Sequence, residues 1–268
     1  PTGCPTSPSS SGYSRGVPAS YPVMNDSSFA RIFFFPLSSR GGAVFLTVGT
    51  GLLTLALTLG PVGRRDPRLY LFAAAAVIVA SYLYRVTEET VTGSERAPGF
   101  QPDDWEEAGH DLMRYLGGLL VAFLPVWFLL VYALMEQRDH LEQRDFRTAL
   151  GVCVLVGTAY LPMALLLNGF TLRFATPFNL GVGLRGIRTM GADYAFVCIY
   201  FLIGHAAWGL LYPYWVRETP AGVNSARLTA AAVTACVALY LSVLQMRALG
   251  KMYRKHHAAL GWTLGNDA

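Results

Sequence analysis

The chain has 268 residues, 53% of them hydrophobic and only 14% charged, with a mean hydropathy of +0.38 and a formal net charge of +4. A water-soluble domain carries about 25% charged residues, so this composition excludes a soluble globule and leaves no room for a sizeable soluble domain. The charge comes from 19 Arg and two Lys scattered between apolar runs rather than gathered into a stripe with aromatics, which argues against nucleic acid as a partner.

Residues 1–28 are rich in Ser, Pro and Gly and contain no apolar run. They read as a low-complexity tail, disordered in isolation unless a partner orders it. With no hydrophobic stretch ahead of Cys4, the tail does not read as a signal peptide or lipoprotein leader. Residues 29–250 are predicted to form an all-α domain, a polytopic transmembrane helical bundle of about six membrane-spanning helices. The apolar runs fall at 42–60, 69–86, 112–135, 148–168, 192–216 and 226–249, each near the ~20 residues that a ~30 Å hydrocarbon core requires. A basic tail, 251–268, closes the chain.

Between the second and third runs lies a polar connector, 87–111. Its Asp104 and Glu107 have capping-box spacing, and Trp105 is placed to anchor the start of a helix at headgroup level. Glu107 and His110 share a helix face, but a di-iron bundle needs that motif twice and more carboxylates besides, so no metal is predicted. The charged turn 136–147 holds a near-repeat, Glu136-Gln-Arg-Asp139 and Glu142-Gln-Arg-Asp145, which reads as solvated helix ends. Before the fifth run, Gly181-Val-Gly183-Leu-Arg-Gly186 matches GxGxxG but lacks the strand that a dinucleotide site requires. Thr176-Pro177 reads instead as an N-cap with Pro at the first helical position. Leu180, Leu184 and Ile187 then form one apolar face of a short amphipathic or re-entrant helix, with Arg185 and Arg188 at the depth of lipid phosphates.

Six crossings place both termini and the 87–111 and 171–190 connectors on one side, which collects 13 Lys/Arg against 8 on the other. That asymmetry predicts cytoplasmic termini in a bacterial inner membrane; five or seven crossings follow if one segment is re-entrant or split. In lipid, close helix packing needs small residues on one face. Three runs supply them at i, i+4 spacing: Thr50, Thr54 and Thr58; Ala149, Cys153 and Gly157; and Ala230, Thr234, Ala238 and Ser242.

His205 is the one ionisable residue deep in an apolar run, where such groups are costly and often functional. It is a candidate ligand for haem or a chlorophyll-type pigment, with Gly204 and Gly209 leaving room for a macrocycle. The alternative is a neutral imidazole bonded to a neighbouring Ser, Thr or Tyr. Haem needs a second axial ligand that no other run offers, so no cofactor is predicted. No Ser–His–Asp order, HExxH, P-loop or paired intramembrane carboxylate is present, and no catalytic residue is assigned.

Three stretches, Phe35-Pro36 through Gly42, Gly99 through Trp105, and Pro177 through Asp193-Tyr194, resemble those of a loose group of uncharacterised bacterial six-helix integral membrane proteins of unknown function. The likeness covers about residues 30–250 and implies the six-helix fold without any activity. Taken together, the sequence predicts a non-enzymatic accessory or scaffold subunit that packs against lipid and other membrane-protein subunits. The alternatives are a component of a small-molecule or lipid transporter and a haem- or pigment-binding subunit built on His205.

Overall fold

The computed structural model describes residues 34–58, 68–99, 105–135, 144–171, 176–217 and 225–262. Among these the chain is all-helical: α1 (Arg40–Thr58), α2 (Arg68–Thr92), α3 (Trp105–Ala122), α4 (Leu124–Met135), α5 (Arg144–Thr171), α6 (Leu180–Met190), α7 (Ala192–Arg217) and α8 (Ser225–Leu260), with short 3-10 turns at Phe35–Leu37 and Thr176–Phe178. The tail 1–28, Asp104 with its cap, and the near-repeat after Met135 as far as residue 143 lie outside the described residues, and its Asp145 falls in the first turn of α5.

Two segments, Asp145–Gly169 of α5 and Leu228–Leu260 of α8, are long and apolar enough to cross a membrane. The count rises to four if each of two bent pairs, α3 with α4 and α6 with α7, is one span. α1 is apolar but shorter over its described length. Large apolar side chains stand exposed on α4 (Trp127, Phe128, Val131), α5 (Val152, Leu155), α7 (Ile199, Ile203) and α8 (Val233, Val237). A water-soluble monomer rarely carries so much outward apolar surface; it fits insertion into a bilayer.

α5 and α8 are the two central helices. Residues 161–168 of α5 and 246–250 of α8 are buried on every side. α8 packs on α1, α2 and α7, while α5 packs on α3, α4 and α7. Glycines set the closest approaches. A Cβ on Gly118 of α3 would stand 2.9 Å from Leu165, and one on Gly157 of α5 would stand 2.8 Å from the Ala122 carbonyl oxygen.

The predicted third span is not one straight helix. α3 and α4 meet at 69° across Phe123, because Pro125 has no N–H to continue the ladder and its ring crowds the preceding turn. The second helix also runs past its apolar stretch to Thr92, so six residues assigned to the polar connector are helical. It stops at Gly93, whose φ of +100° suits only glycine. The Gly93 and Ser94 amides donate to the carbonyls of Thr90 and Glu89 at 3.2 and 2.8 Å, a Schellman closure.

The helix ahead of α7 is present as α6, but its cap differs from the one expected. Asn179, not Thr176, caps it, its side chain accepting from the Val182 amide. Thr176-Pro177 forms a separate 3-10 turn, tied to α5 by the Tyr160 hydroxyl donating to Pro177 O at 3.0 Å.

Candidate functional site

The best-built polar site lies where α2, α3 and α5 meet. Along α2, Ser81, Tyr84, Arg85 and Glu88 fall at i, i+3, i+4 and i+7 and so share one face of the helix. Along α3, Glu107, Asp111 and Arg114 do the same. The two helices pack together, which turns the two stripes toward one another. Asp111 is 6% exposed. Its carboxylate accepts from Arg114 Nη1 at 3.2 Å and from the Ser81 hydroxyl. α5 closes the third side, with Asn168 Nδ2 donating to the Arg114 carbonyl at 2.9 Å.

Tyr84 is buried beside this pair, its ring against Gly169, and electrostatically coupled to Asp111 and Arg114. Its hydroxyl finds no hydrogen-bond partner among the described residues. Buried hydroxyls are nearly always bonded, so this one keeps unused capacity to donate and accept next to an ion pair. Glu88 lies beyond the apolar part of α2. Although it reaches the surface, the protein packed around its carboxyl, with Asp111 and Glu107 nearby, holds its pKa above the usual carboxylate range, against the opposing pull of Arg114 and Arg85.

The sequence reading passed over this site. It placed Glu88 and Asp111 in the polar connector 87–111 and gave them no role. Asp111 and Arg114 lie in α3, past the helix start expected at Trp105, and Asn168 is 3% exposed. Arg247, in the sixth run, is also buried, its guanidinium 3.6 Å from the centre of the Phe35 ring. The missed signal was the i, i+3 and i+4 spacing of the polar residues along α2 and α3.

The expected site residues fall elsewhere. His205 stands on an exposed face of α7, and its Nδ1 lies 2.8 Å from Phe201 O of its own helix. The partner is thus a backbone carbonyl, not a neighbouring Ser, Thr or Tyr. Phe123 packs against the imidazole at 6.2 Å. The space beside Gly204 that a macrocycle would need is filled by Gln245 of α8, whose amide donates to Tyr200 O at 3.1 Å. The described residues hold no group of three or more His, Cys, Asp or Glu able to bind a metal ion.

The small-residue stripes divide between inside and outside. Thr54, Gly157 and Thr234 are buried, Thr50, Cys153, Ala238 and Ser242 are half-buried, and Ala149 and Ala230 are exposed. Arg185 and Arg188 are exposed on α6. Trp105 opens α3 and Thr58 ends α1, but their side chains lie outside the described residues.

No protein-family model matches the chain, and no curated protein or solved structure matches it either. The site is therefore read from its own chemistry.

Proposed function

We propose that the chain is a non-enzymatic polytopic membrane protein of the transporter or permease class, in which a proton or small polar solute engages the Asp111–Arg114 site. The observation that carries this reading is the buried Asp111–Arg114 pair flanked by Ser81 and by a Tyr84 hydroxyl with open hydrogen-bonding capacity. Ionisable groups between membrane helices are costly and mark ion or substrate pathways. One sharply broken span, α3 with α4, accompanies it, and broken helices are the usual frame of such sites. A scaffold or accessory subunit is the alternative, supported by the small-residue stripes at i, i+4 spacing. The reading takes six crossings, with the starts of α1, α3 and α7 and the ends of α2 and α8 on one side, in the cytoplasm of a bacterium by the arginine asymmetry.

A thermal-shift screen in mild detergent tests it, using a pH series and a panel of small organic acids, amines and sugars. At least one should shift the melting point of the wild-type protein, and Asp111→Asn should abolish that shift while the variant stays folded. No response across the panel, with other subunits co-purifying, would return the chain to the scaffold reading. An absorption band lost in His205→Ala would instead move it to the haem or pigment reading.

A further inference from the structure

We propose that α6 lies in the plane of the bilayer surface and binds anionic phospholipid headgroups through Arg185 and Arg188. This rests on observations independent of the Asp111 site.

The direction of α6 comes first. It meets α7 at 106°, across Gly191, whose φ of +53° favours glycine. If α7 crosses the membrane, α6 runs nearly parallel to its surface. The junction is pinned from α8, because Asp193 Oδ2 accepts from both Lys255 Nζ and His256 Nε2 at 2.6 Å. These charged groups place the turn at the aqueous boundary rather than in hydrocarbon.

The faces of the helix come second. Gly183, Gly186 and Met190 turn inward and are buried, the two glycines letting Tyr160 and Met163 of α5 approach closely. That inner contact leaves the outward half of α6 unpartnered among the described residues. At 100° per residue, the outward half begins with Leu180 and Leu184, continues through Arg188 and Gly181, and ends with Arg185 and Thr189. The two leucines are 58% and 61% exposed, and Phe178 just before the helix is 52% exposed. An apolar edge running into a basic shoulder is the arrangement of a helix seated at the headgroup boundary.

Charge complementarity decides the class of lipid. α6 carries two arginines and no acidic residue, and Lys255 lies exposed beside its C-terminal end. Arginine forks match phosphate oxygens, and basic residues at the surface favour anionic over zwitterionic lipid.

The full chain in nanodiscs of phosphatidylcholine, with and without phosphatidylglycerol, provides the test, with retained lipid counted by native mass spectrometry. Wild type should retain phosphatidylglycerol in preference to phosphatidylcholine. Arg185→Gln with Arg188→Gln should cut that preference by about thirty-fold, each surface arginine being worth about fivefold in binding. Arg185→Lys with Arg188→Lys, which keeps the charge and controls for folding, should retain most of it. Inorganic phosphate at millimolar concentration should not displace the lipid. The Trp fluorescence that Leu184→Trp adds over wild type should be quenched by brominated acyl chains and spared by aqueous iodide. An unchanged preference in the glutamine variant, displacement by free phosphate, or iodide quenching at position 184 would each overturn the proposal.

Discussion

At the scale of single residues, the chain's most consequential feature is a charge pair inside an apolar molecule. Asp111 is buried with Arg114 at 3.2 Å, and removing one partner leaves the other short of its bond. Asp111→Leu should lower stability by about 1–3 kcal/mol, the cost of an unsatisfied buried group. Asp111→Leu combined with Arg114→Leu should recover part of that loss, and a double-mutant cycle from chemical unfolding in detergent would measure the coupling. Glu88 governs the acid side of the stability profile. Its carboxyl holds a proton more tightly folded than unfolded, because of the protein packed around it and the nearby Asp111 and Glu107. The folded state therefore binds more protons between the two titration points, and this contribution, full at low pH, is lost as pH rises through the raised pKa. Melting points measured from pH 4 upward should show that fall in wild type, and Glu88→Gln should flatten it. Arg247 offers a third residue-scale test: Phe35→Leu removes the ring under its guanidinium and should destabilise by about 2 kcal/mol, as expected of a desolvated cation–π contact. None of these pairings was legible from residue types alone. Asp111 and Ser81 are 30 positions apart, and their meeting depends on how α2 and α3 pack.

At the scale of elements, hydropathy located the helices well but not their ends or bends. α5 coincides closely with its apolar run, since in lipid a helix satisfies every backbone group internally, whereas α8 continues past its run through the expected basic tail to Leu260. α2 overran its apolar stretch, because a helix stops where the backbone is capped rather than where side chains turn polar. Gly93 marks that stop, and Ser94 completes it. The break at Phe123 was encoded by Pro125, which the length of the apolar run concealed. Helix contact here depends on glycine more than on bulk. Gly157→Val would drive a side chain into the Ala122 carbonyl and the Phe123 ring. It should destabilise by about 3 kcal/mol, at the upper end for overpacking, and Gly151→Ala, which meets open space, should hold or raise the melting point, Ala being the better helix former. The same stripe groups Gly157 with Ala149, yet of these two only Gly157 meets another helix among the described residues.

At the scale of the whole molecule, the sequence by itself determined the class: an all-helical chain with an apolar exterior. Composition suffices for that, because 14% charged residues are too few to cover a soluble surface. Sequence also marked α6 and its arginines, since an amphipathic period is local and survives without knowledge of the fold. The tertiary structure alone decided which polar residues meet. It brought two helical stripes and Asn168 together around Asp111, set Arg247 on Phe35, and filled the space beside Gly204 with Gln245. Periodicity assigns a residue to a face of its own helix. Which neighbour that face meets depends on close approaches such as Gly118 to Leu165 and on the bends at Phe123 and Gly191, and these are properties of the packed bundle rather than of any one segment.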